Sequence, residues 1–174
     1  MKLSVLWRGL PGHPLHPPLT DVTIGAYTLA TAMALLSRLG VSEENTATVW
    51  WIALVAGLVV TLPTAFTGVA DWLEIQRGTP LWRTATAHLT AMVTATILFA
   101  ITAGAGHSAY EDGEVRGGPL ILTLIGYAVL ALGGWLGGSI VYVHGMRVLN
   151  LVDEPARRAA APVATPEKEE AEGS

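Results

Sequence analysis

Residues 47–70 read ATVWWIALVAGLVVTLPTAFTGVA, 24 positions without an Asp, Glu, Lys or Arg. At 1.5 Å of rise per residue, a helix of that length covers about 36 Å, more than the roughly 30 Å of hydrocarbon in a bilayer. Lipid leaves no partner for a bare amide or carbonyl, so an apolar run this long reads as a transmembrane helix. Two further runs outward from it share the property, Thr84 to Tyr110 and Gly117 to Met146. A shorter one, Val22 to Ser37, gives only about 24 Å. It becomes a full span by starting near Pro17, which draws Asp21 into the membrane. The sequence therefore predicts an all-α protein, a four-helix transmembrane bundle with spans at about 19–39, 47–70, 82–106 and 118–145.

Composition agrees. Of 174 residues, 51% are hydrophobic and 14% charged, against about 25% charged in a soluble domain. The six acids and three bases of residues 153–174 account for most of the net charge of -4. Residues 151–174 read as a disordered, charged cytoplasmic tail, since Ala, Pro, Glu and Lys bury too little apolar surface to order it. Residues 1–18 read as an arm rich in Pro and His, not a signal peptide, with prolines at 11, 14, 17 and 18. Pro17 and Pro18 suit a first helical turn, where a missing amide hydrogen costs nothing, and Thr79-Pro80 makes a similar start for the third helix.

Lysine and arginine set the orientation. With four spans, Lys2, Arg8, Arg77, Arg83, Arg147, Arg157, Arg158 and Lys168 share one face, and Arg38 and Arg116 the other. Positive loops stay in the cytoplasm, so both termini are expected there, in a multi-pass protein of the bacterial inner membrane. Trp7, Trp72 and Trp82 mark one interface, and Trp50 and Trp51 the other.

No phosphate loop, nucleophile elbow, zinc-protease motif or dinucleotide fingerprint occurs, and no catalytic residue is assigned. The chain reads as something other than a stand-alone enzyme. No basic footprint for nucleic acid exists either. The absence of Cys removes disulfides, thiolate zinc sites, iron-sulfur clusters and covalently attached haem. What remains is His and Asp toward the cytoplasmic face, with His107 alone in the outer loop. Counting rise from span centres, Asp21 and His88 lie about 10 Å from the midplane, and His16, Asp71 and His144 about 18–21 Å, with His13 slightly beyond.

Each residue has a plain structural account beside a functional one. Asp21 serves a helix N-terminus or a polar interior. His88 bridges helices or ligates a cofactor. His144 answers a helix C-terminus, His13 and His16 punctuate a Pro-rich arm, and Asp71-Trp72 anchors an interface. Glycines 133, 134, 137 and 138 let a backbone approach closely, or make a flat surface for a cofactor ring beside Trp135.

Together, residues 12–25 (GHPLHPPLTDVTIG), 67–72 (TGVADW), His88 and residues 133–145 (GGWLGGSIVYVHG) resemble the bacterial membrane-protein family known as domain of unknown function 2231. Thr23 stands where the family usually has Pro, and Ser139 where some members have His. The resemblance implies a four-helix membrane module, in relatives sometimes fused to Rieske-type or cytochrome c domains, which points to electron transfer.

Three readings follow. The first is an electron-transfer module with noncovalent haem b or quinone near the cytoplasmic face, held by His16, His88, His144 and Asp21, and served by a Rieske-type or cytochrome c partner. The second is a divalent metal site, from His13, His16, Asp71 and His144, or a proton site in an oligomeric transporter. The third is a structural or assembly subunit, in which polar residues set helix register. The lipid bilayer is a partner in all three, and a homo-oligomer is expected for the second.

Overall fold

The computed structural model describes residue 9 and residues 13–148, so expectations for the rest of the arm and for the tail lie outside the described residues. Four helices follow in order: α1 His16–Arg38, α2 Glu43–Leu73, α3 Pro80–Glu111 and α4 Gly117–Tyr142. They take up 82% of the described residues, which contain no strand, and each is long and apolar enough to cross a membrane.

Local chemistry places the helix ends. Pro17 and Pro18 occupy the first turn of α1. Glu43 and Glu44 lie in the first turn of α2, where the helix dipole favours acid. Thr79 caps α3, its Oγ1 accepting from the Trp82 amide at 3.1 Å. Pro63 lies inside α2 without ending it. α3 runs on to Glu111, so His107 belongs to a helix and not to a loop. Its ring packs edge-on against Trp51 at 5.0 Å and its Nδ1 lies 3.5 Å from Glu111.

α1 pairs closely with α2, and α3 with α4, so the bundle is two hairpins. The seam between α2 and α3 is broader than the one between α4 and α1. The interior is built from small residues: Ala30, Ala34, Ala47 and Ala95 are buried, together with Thr23, Thr64, Thr102 and Thr123. Large apolar side chains such as Leu62, Phe66, Ile101 and Trp135 face outward. This inversion suits lipid, where Leu gains nothing by hiding and small residues let helices approach. The buried threonines return their hydroxyls to carbonyls four residues back, as Thr23 does to Leu19 at 3.0 Å and Thr123 to Pro119 at 2.8 Å.

A few large residues fill the bundle from its middle to the α1–α2 and α3–α4 turns. Tyr27 and Phe99 stack at 4.0 Å between ring centres, with 11° between planes. Trp50, expected at an interface, is wholly buried, and its Nε1 donates to Thr123 Oγ1 at 3.2 Å. Gly106 provides the space beneath its ring.

Candidate functional site

The opposite end of the bundle is not filled. A cavity of about 380 Å³ opens there among all four helices. His16, Asp21, Asp71 and His88 line it with Thr20, Thr64 and the apolar Ile24, Leu89, Met92 and Val93. A cavity of this size with a few polar groups on apolar walls has the make-up of a small-molecule site.

His16 starts α1 and reaches across to α2. Its Nδ1 lies 3.0 Å from the Thr64 carbonyl and 3.2 Å from Thr67 Oγ1. His88 lies on α3 and reaches α4, where its Nδ1 donates to the Gly133 carbonyl at 2.7 Å. A carbonyl can only accept, so each neutral ring carries its proton on Nδ1 and its lone pair on Nε2. Neither Nε2 has a hydrogen-bonding partner among the described residues. The two rings stand edge to face, 6.5 Å between centres.

Glycine makes room for both. A Cβ on Gly68 would lie 2.6 Å from His16 Cε1, and one on Gly137 would lie 3.1 Å from His88 Cε1. Gly134, Gly137 and Gly138 line the cavity, while Trp135 faces away at 71% exposure and forms no part of its wall.

The remaining candidates separate. Asp21 lies on the cavity wall, exposed, and makes no hydrogen bond or ion pair among the described residues, with His88 or any other group. Asp71 accepts from Arg147 Nη2 at 2.5 Å, and Glu74 Oε2 lies 3.3 Å from the same nitrogen, closing one side of the mouth. Trp72 donates to Thr86 at 3.0 Å beside Trp82. His144 Nε2 turns to Thr84 Oγ1 at 3.1 Å and does not line the cavity. His13 is exposed. Among the described residues no three His, Asp or Glu side chains are grouped to hold a metal ion, so His13, His16, Asp71 and His144 do not form one centre.

Two tiers were expected, with His16 about 10 Å further from the midplane than His88. The rings are instead neighbours. α1 begins at His16 itself and α3 eight residues before His88, so depth counted from run centres misplaces side chains on tilted helices of unequal length. The carbonyls of Thr64 and Gly133 and the seat at Gly68 went unrecognised, because backbone anchors have no residue-type signature.

Fold and site define a four-span helical membrane protein with a histidine-lined cavity at one end. The chain belongs to the family described as predicted membrane protein (DUF2231), which matches residues 12–150. No curated protein and no solved structure matches it.

Proposed function

We propose that the protein is a membrane electron-transfer module that holds a b-type haem noncovalently between His16 and His88. The observation that carries this reading is the pair itself: two histidines from different hairpins, 6.5 Å apart, each anchored through Nδ1 to a backbone carbonyl. Two imidazoles sharing one metal at about 2 Å per bond have ring centres roughly 6 Å apart. Metal-ligating histidines generally bond their second nitrogen to a carbonyl or carboxylate, which fixes the ring and its tautomer.

Ligand number separates the candidates. A bare divalent ion needs three or four protein donors, whereas the macrocycle of haem leaves only the axial positions to the protein. Ile24, Leu89, Met92 and Val93 supply apolar wall for such a ring. Bound there, haem would supply one-electron transfer. The chain's own residues hold the ring, fix the ligand tautomer and exclude water on the apolar side. The electron partner is a separate protein of the Rieske or cytochrome c class.

Hydroquinone is the second reading, favoured by a specific observation. An Nε2 lone pair accepts a hydrogen bond from a quinol hydroxyl, and Asp21 on the same wall offers a second acceptor. Orientation belongs to the proposal as well. Arg77, Arg83 and Arg147 lie toward the cavity end, which supports a cytoplasmic site and cytoplasmic termini.

The test is the protein purified in mild detergent with its native lipids. Oxidised and dithionite-reduced visible spectra, quinone extraction and metal analysis are taken on one sample. A reduced b-type band lost in His16→Ala and His88→Ala supports haem, and extracted quinone without iron supports the second reading. A lipid-retaining preparation free of haem, quinone and metal overturns both readings and leaves the structural subunit or a proton site.

A further inference from the structure

We infer that the chain is two copies of one helical hairpin, α1–α2 and α3–α4, related by a pseudo-twofold axis along the bundle. We further infer that the cavity is a twofold site, in which His16 and His88 are equivalent and hold one ligand from its two sides. The second part rests on the haem reading; the first does not.

On the first helix of each hairpin the offset is 72 residues. It takes His16 to His88 and Tyr27 to Phe99. Both pairs meet each other, at 6.5 and 4.0 Å between ring centres, as residues beside a twofold axis must. The same offset carries all six buried residues of α1, from Thr23 to Ser37, onto buried residues of α3, from Ala95 to Ala109.

On the second helix the offset is 69 residues, and it is fixed by independent contacts. His16 bonds the Thr64 carbonyl and His88 that of Gly133. His16 is seated on Gly68 and His88 on Gly137. Tyr27 lies over Gly57, and Phe99 over Gly126. α2 ends at Leu73 and α4 at Tyr142, again 69 apart. The turns agree too. Gly40 and Gly113 both adopt left-handed φ, +78° and +75°. The following amides, of Val41 and Glu114, each reach back five residues, to Leu36 and Ala109, at an offset of 73, one residue more than along α1 and α3. Helical periodicity could match buried faces by accident, because 72 residues is about 20 turns. It could not also match ring partners, glycine seats and turn geometry.

Two hairpins that each cross twice enter from the same side. The repeat is therefore parallel, with its axis along the membrane normal. The cavity follows it at five of six positions: His16, Pro17, Thr20, Asp21 and Ile24 of α1 line it together with the α3 residues 72 further on, and Thr23 lines it without its counterpart Ala95. The halves differ in polarity. Asp21 corresponds to Val93 and Asp71 to Ile140, so the first hairpin supplies the polar flank and the second the apolar one. A ligand across the axis must present two equivalent faces to two imidazoles, and a haem iron with two axial positions does so.

Two measurements test this. The chain lacks cysteine, so pairs of spin labels can be placed cleanly on the exposed positions Leu29, Val59, Ile101 and Ala128 of the full-length protein. The axis would interchange the α2–α3 and α4–α1 seams, which differ in breadth, so the repeat is tested within the hairpins: duplication requires the distance in Leu29→Cys/Val59→Cys to equal that in Ile101→Cys/Ala128→Cys, within the width of the distributions. Unequal distances overturn the duplication whatever the ligand. In the haem-loaded protein, His16→Ala and His88→Ala should convert a low-spin spectrum to high spin, or lose haem, to the same extent. Free imidazole should restore the low-spin spectrum in both. Haem retained unchanged by one variant overturns the two-sided site and, with it, the seat between His16 and His88. A protein free of haem overturns the haem reading and the two-sided site, while the distances still decide the repeat.

Discussion

The two ends of the bundle are built from the same two hairpins, yet one is filled and the other open. Toward the α1–α2 and α3–α4 turns, Trp50, Tyr27, Phe99 and Leu54 are buried and occupy the space between the helices. Toward His16 and His88, glycines stand under the rings, and about 380 Å³ stays open. In lipid, where packing and hydrogen bonds hold helices together more than burial does, the filled end is the source of stability. The open end is free to be shaped for a ligand.

That contrast can be broken by mutation. The largest effect on stability is expected from Trp50→Ala, which empties the filled end and should cost about 3–5 kcal/mol. Thermal unfolding in detergent checks it, and an equal loss from Leu89→Ala in the cavity wall would contradict the contrast. Next come Gly57→Ala and Gly126→Ala, whose Cβ atoms would lie 2.6 and 3.0 Å from the rings of Tyr27 and Phe99. Overpacking should cost about 1–3 kcal/mol, more at Gly57. Gly104→Ala, with nothing within 4 Å, is the neutral control. Gly137→Ala, 3.1 Å from the His88 ring, should change the melting temperature little and weaken ligand binding instead. The smallest change is Arg147→Gln at the mouth. Its pair with Asp71 is partly exposed, so the loss should be about 0–1 kcal/mol and vanish in high salt.

The fold was legible because its cause is written locally: charge-free runs of span length, prolines at helix starts, and a family resemblance over the same stretch. The membership of the site was partly legible. Asp21, Asp71, His16 and His88 do line one cavity, but His144 does not, and Asp21 does not pair with His88. Position along a charge-free run can be counted from sequence, but where the helix begins and how it tilts against its neighbours cannot. That is why His16 and His88 were assigned to separate tiers. Trp50 misled for a similar reason: an aromatic near a span end suggests an interface, and only the glycine at position 106 opposite shows that the core can admit it. The doubling was hidden because its halves share few identical residues. Its signature is geometric: a histidine and, eleven positions on, an aromatic ring, each over a glycine of the next helix.

Haemin titration of the purified, ligand-stripped protein tests the central claim most directly. The account predicts saturation at one haem per chain with a low-spin spectrum, and loss of that spectrum in both His16→Ala and His88→Ala while Trp50→Phe retains it. Haem binding that survives both histidine substitutions, or no saturable binding to the folded wild-type protein, would contradict it.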